Sequence, residues 1–166
     1  MGFPRQDDVK IVLLNLYPIA ATHDSFVSLV GDAKNMKEFE DESFDVVFSN
    51  SVIEHVGGFE QQRQMANEVR RVGKRIFLQT PNRYFPIEPH FLFPLFQFLP
   101  TRFQVYIIQH FSPGWLGKAA DREQANKIVS SIRLLTKKEL GILFPGVSIH
   151  QEKAFGLAKS FVVEKR

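Results

Sequence analysis

Apolar positions in this chain fall in short runs separated by polar punctuation, and the runs alternate with stretches of helical spacing. Val9 to Leu16 is nearly all apolar, as are Phe26 to Val30 and Phe44 to Phe48. Runs of that length, rich in β-branched and aromatic residues, predict strands buried in a parallel sheet. Each stops at small polar residues: Asn15, then Gly31-Asp32-Ala33, then Ser49-Asn50-Ser51. Phe59 to Val72 carries Phe59, Met65, Ala66, Val69 and Val72 near one face, which predicts a helix closed by Gly73. Arg75 to Leu78 predicts the next strand. Strand, loop, helix and strand with short connections make a βαβ unit. Thr136 to Phe144 predicts a helix with Thr136 as cap and Glu139 completing a capping box. Val147–Glu152 and Ala158–Val163 predict a closing pair of strands.

The stretch from Tyr84 to Trp115 breaks this rhythm. It holds many of the chain's aromatic residues and Pro86, Pro89, Pro94, Pro100 and Pro113. Prolines at that density prevent one long helix. Two short helices are expected, near Pro89–Leu99 and Thr101–Phe111. Such a cluster is more often a secondary core than a ligand box.

Composition narrows the function classes. A chain of 166 residues, 44% apolar and 23% charged, suits one globular domain over residues 1–166. A net charge of +3 is spread thinly, which argues against a nucleic-acid partner. No cysteine is present, so disulfide and thiol chemistry are excluded and a cytoplasmic location is compatible. No run is long enough to predict a transmembrane segment. The five histidines show no HxH, HxxxH or HExxH spacing and there is no cysteine, so a zinc site is rejected and no metal is expected.

Three blocks together, LVGDAKNM (29–36), ESFDVVFSNSVIEHV (42–56) and RIFLQTPNRYFPIEPH (75–90), resemble class I S-adenosylmethionine-dependent methyltransferases of the type 11, ubiquinone-type small-molecule group. They match its third strand and acidic turn, its fourth strand and loop, and its fifth strand and loop. The resemblance implies an α/β, Rossmann-like fold. That fold has a mostly parallel sheet with helices on both faces, a C-terminal antiparallel hairpin, and an aromatic insert at about 84–115. It implies S-adenosylmethionine as cofactor and a small, possibly apolar methyl acceptor.

By the same resemblance, Asn15 takes the place of the acidic residue that accepts from the ribose hydroxyls. Asp32 and Ala33 would meet the adenine, and Asn50 ends the cofactor strand. Asn15 and Asp32 equally suit turn caps. Glu54, His55 and His90 are the general-base candidates, and His55 and His90 are each expected to be catalytic; each also suits a partnered or exposed structural side chain. SNSV stands where amine-methylating relatives carry an Asn/Asp-Pro-Pro-aromatic tetrad, which disfavours amine acceptors.

The family's first strand and glycine-rich loop have no counterpart, and the match starts at the second strand. An N-terminally truncated domain is therefore expected, either a piece of a longer protein or a member without that loop. Weak cofactor binding by this chain alone is expected too. So is a homo-oligomer, because the missing strand leaves sheet edges open. The alternative reading is a non-catalytic methyltransferase-like remnant serving as a binding or scaffold domain. Another nucleotide-binding α/β protein, such as a dehydrogenase, fits the blocks less well.

Overall fold

A computed structural model describes residues 9–20, 23–111, 114 and 117–166. Among the described residues eight strands form three sheets. β1 (Ile11–Asn15) and β2 (Phe26–Val30) pair in parallel, Ile11 opposite Phe26 and Asn15 opposite Val30. β3 (Phe44–Asn50) pairs in parallel with β4 (Gly73–Pro81). Between them runs α1 (Phe59–Val72), which completes the expected βαβ unit. β4 is also joined antiparallel to β8 (Leu157–Lys165), which pairs with β7 (Ser148–Ala154), giving the order β3-β4-β8-β7. The C-terminal antiparallel hairpin is as expected. The single mostly parallel sheet is not: β1 and β2 stand apart from β3.

Core packing follows the alternation along β4. Ile76, Leu78 and Thr80 point inward and are buried, while Arg75 and Phe77 are exposed. The inward side meets Met65, Ala66, Val69 and Val72 of α1. It also meets Leu140 and Leu143 of α4 (Lys137–Leu143). Thr136 caps α4 through the expected capping box with Glu139. The outward side of β3 and β4 carries Phe48 and Phe77, stacked 5.6 Å apart and open to solvent. Among the described residues no helix covers them, so the expectation of helices on both faces is corrected to one.

The insert is folded differently from the expectation. The stretch around Pro89–Leu99 is not a helix but a two-residue hairpin, β5 (Ile87–Glu88) with β6 (Phe93–Pro94), followed by a 3-10 turn at Phe96–Phe98. Pro89 and Pro94 remove amide donors that a helix would need. α2 (Thr101–His110) matches the second expected helix. α3 (Arg122–Ser130), capped by the Asp121 carboxylate on the Gln124 amide at 2.8 Å, was not anticipated. α2 and α3 close a second core around Phe91, Phe96, Val105, Ile108 and Ala125. Trp115 lies outside the described residues.

Candidate active site

β1 and β3 end in Asn15 and Asn50, and β2 ends in Val30 just before the Gly31-Asp32 turn; the apolar runs of all three are partly exposed. Asn15 closes β1, and its carbonyl accepts from the Gly31 amide at 2.9 Å. Asp32 folds back on its own turn. Its carboxylate accepts from the Lys34 amide at 2.9 Å and lies 3.2 Å from Lys34 Nζ. Between β1 and β3 lies a mostly apolar groove of about 360 Å³ lined by Val12, Leu14, Ala33, Phe48 and Asn50 among others. Ser49 Oγ, also on its wall, is buried without a hydrogen-bond partner. The structure therefore brings Ala33 and Asn50 to one groove. Asn15 and Asp32 lie in neighbouring turns outside its lining.

The groove suits an adenosine-like group in part. Apolar walls can take a flat ring, and Asn50 with the orphan Ser49 hydroxyl offers hydrogen bonds to sugar or base. Asp32 is already engaged by Lys34, so a ligand would have to share it.

His55 and His90 come together at the end of β3. Ser51 starts the turn in a left-handed conformation (φ 52°), and its amide and hydroxyl bond the Gln79 carbonyl and Gln79 Oε1 at 3.1 and 3.0 Å. Ile53–His55 then form a 3-10 turn. Gly57 leaves it at φ 117°, a conformation that side chains rarely adopt. Gln62 of α1 donates to the Ile53 carbonyl at 3.1 Å and to the Arg133 carbonyl at 2.8 Å. The Arg133 amide in turn donates to the Glu54 carbonyl at 2.8 Å. The turn is thus tied to two elements.

His90 arrives from the insert. Glu88, itself buried, accepts from the amides of His90 and Phe91 at 2.7 and 2.8 Å. Its other oxygen lies 2.7 Å from His90 Nδ1. That grip leaves His90 Nε2 free, 3.1 Å from His55 Nε2, with the rings perpendicular at 4.8 Å between centroids. Gly114 packs against this segment so closely that a Cβ there would lie 2.2 Å from the His90 carbonyl oxygen. Glu54 is fully buried, with one oxygen taking the Thr80 hydroxyl at 3.0 Å and the other unpartnered.

Electrostatics separate the two imidazoles. Partial desolvation of its exposed ring lowers the His55 pKa below its ordinary value, and the neighbouring His90 charge adds to this. Burial opposes charge on His90 as well, but the Glu88 hydrogen bond and charge, with the Glu54 charge, raise its pKa overall. Burial raises the Glu54 carboxyl against its hydrogen bonds. Sequence reading placed the two histidines and Glu54 near one another in function but missed Glu88. The only signal was Glu88-Pro89-His90, in which a carboxylate two residues before an imidazole can reach its ring.

A second cleft of about 440 Å³ opens between the sheet and the insert, with neither histidine in its lining. Ser51, Gln79 and Pro81 come from the sheet, Phe85, Ile87 and Pro89 from the insert, and Phe155 from the closing hairpin. Among the described residues no helix is long and apolar enough to cross a membrane.

Residues 14–75 match the family described as a methyltransferase domain. That span holds the ends of β1, β2 and β3 together with Glu54 and His55. No curated protein matches the chain. Among solved structures, a SAM-dependent methyltransferase from Methanosarcina mazei is 17% identical over 84% of this chain and 66% of its own, with a TM-score of 0.48. A protein described as a possible exported protein from Bordetella parapertussis is 12% identical over 94% of this chain and 52% of its own, with a TM-score of 0.54. The latter is a likeness of fold. The chain spans just under two thirds of the first protein and about half of the second.

Proposed function

We propose that this chain, whose residues 14–75 match a methyltransferase-domain family, takes part in methyl transfer from S-adenosylmethionine to a small, largely apolar acceptor. The observation that carries the reading is the set of polar strand ends inside that domain, with Ala33 and Asn50 on one groove. The cofactor supplies a methyl group already activated on a sulfonium. The protein's work is then to hold donor and acceptor in line, and positioning of that kind is worth about 7–11 kcal/mol.

Ala33 and Asn50 would border the adenosine, with Asn15 and Asp32 at its rim. The cleft beneath the insert, lined by Phe85, Ile87 and Pro89, would exclude water from an apolar acceptor. If the acceptor is a hydroxyl, its proton must leave, and His55 and His90 are the groups set to handle it. Among the described residues the outer edges of β1 and β3 have no strand partner, and such edges support self-association.

Calorimetric titration with S-adenosylmethionine tests the reading. Binding by this chain is expected to be weak but saturable, and Asp32→Ala is expected to weaken it several-fold. Unchanged affinity in that variant would remove Asp32 from the site. No binding at all would favour a non-catalytic binding domain.

A further inference from the structure

Two imidazoles confront each other through the same ring atom, and the surroundings dictate what lies between them. His55 Nε2 and His90 Nε2 are 3.1 Å apart. The other edge of the His90 ring is already engaged, its Nδ1 2.7 Å from a Glu88 oxygen. A neutral imidazole has one N–H to give. Once His90 gives its N–H to Glu88, its Nε2 lone pair faces His55 Nε2, where a cation can bridge the two nitrogens. Glu54 adds a third donor atom. One donor atom from each of Glu54, His55 and His90 lies within 4.8 Å of the other two. Glu54 has no exposed surface, and its Oε1 has no partner. An orphaned buried carboxylate oxygen is costly, and a metal ion would satisfy it.

We propose that Glu54, His55 and His90 bind one divalent first-row transition-metal ion, of which Zn²⁺ is the representative. The donor set is two imidazoles and a carboxylate, with no thiolate, which suits such ions. Zn–N bonds of about 2.0–2.1 Å put two tetrahedral ligands roughly 3.3 Å apart. The histidine pair already stands near that spacing. Glu88 supplies the outer carboxylate that fixes His90 for ligation. Three protein ligands leave a coordination position open, as in catalytic rather than structural sites.

The residues come from two segments 35 positions apart, so no local spacing motif could reveal them. Ion binding itself does not depend on the methyl-transfer reading; its catalytic use does. An acceptor hydroxyl in the open position would have its pKa lowered by the ion. Its O–H bond would break and the proton would pass to solvent; the oxygen pair would form the bond to the methyl carbon as the carbon–sulfur bond breaks, that bond's electron pair returning to sulfur to leave a neutral thioether. The histidines would then be ligands and not proton acceptors.

The test uses the full chain, freed of metal by a chelator and dialysed. Zn²⁺ is titrated by calorimetry, and Co²⁺ by its visible absorption. One ion per chain is expected, with affinity falling at least tenfold in His55→Ala and in His90→Ala, and about 10–100-fold in Glu88→Gln. His150→Ala, remote on β7, should match wild type. His55 is exposed, so its variant should fold, and circular dichroism checks each protein. No uptake by a folded wild type, or equal uptake without His55 and His90, overturns the proposal and leaves a proton shared between the rings. S-adenosylmethionine is titrated separately. Metal uptake without cofactor binding keeps the ion site and removes the methyl-transfer reading. Cofactor binding without metal uptake does the reverse.

Discussion

The four-stranded sheet and the aromatic insert are held together by different forces. The sheet rests on ladder hydrogen bonds and one apolar core, with Ile76, Leu78, Val163 and Leu140 all buried. The insert has its own small core, but polar side chains that bind backbone fix its path. Gln97 donates to the Arg83 and Phe85 carbonyls at 3.0 and 2.7 Å, and Gln104 donates to the Phe96 carbonyl at 2.8 Å. Glu88 holds two amides and a ring. The candidate site lies where the two regions meet, with His55 from the sheet and His90 from the insert. Stability should therefore reside in the first region and the geometry of the pair in the second.

The largest effects should separate the regions outright. Phe96→Ala and Leu78→Ala each remove a buried side chain, at about 3–5 and 2–5 kcal/mol respectively. Leu78→Ala is expected to lower the global melting temperature and to speed amide exchange throughout β3, β4 and β8. Phe96→Ala is expected to speed exchange in β5, β6 and α2 while β4 stays protected. Equal loss of protection everywhere in both variants would show that the regions are one cooperative unit.

A smaller change should reach the pair while sparing both cores. Glu88→Ala leaves the His90 and Phe91 amides and the His90 ring without their acceptor, at about 1–3 kcal/mol for buried groups left unsatisfied. Amide exchange at His90 and Phe91 should rise while the β4 amides hold. Gly114→Ala should act in the same direction, because its methyl would collide with the His90 carbonyl. Here the nuclear Overhauser contact between the His55 and His90 rings is expected to weaken.

The smallest effect concerns how β2 and its following loop attach to the sheet. Arg71 of α1 donates to the Met36 and Phe39 carbonyls, and Glu68 accepts from the Met36 amide and from Arg71. The Arg71 hydrogen bond holds the Glu68 carboxyl below the usual range despite partial burial. A carboxyl depressed in the folded state adds stability above its unfolded pKa and loses it as pH falls through the folded one. Glu68→Gln is expected to cost about 1 kcal/mol near neutral pH and progressively less in acid. Urea unfolding at both pH values checks the sign.

Much of the sheet was legible because its signals are local. Phe26–Val30 and Phe59–Val72 match the expected spans, and β1 begins two residues later and ends one earlier than its apolar run suggested. The Thr136 capping box was readable because its two partners are three residues apart. The insert was less legible. Its hairpin depends on Glu88 and on left-handed residues at Leu92 and Leu95, and neither type announces such a turn. α3 escaped because its apolar face is short, though Asp121 before Arg122 was a usable cap signal. The separation of β1 from β3 could not be read from apolar runs, which predict strands and not their order. Among the predicted cofactor residues, strand ends were readable, but which of them share a groove was not.

S-adenosylmethionine is proposed to lie across the ends of β1, β2 and β3. The most direct test is a ¹H–¹⁵N correlation spectrum of this chain titrated with that compound, a measurement that registers weak binding. The predicted result is a saturable set of shifts at Asn15, Asp32, Ala33, Ser49 and Asn50, with β7 and α2 unmoved. A spectrum without saturable shifts, or with shifts confined to residues away from those strand ends, would contradict it.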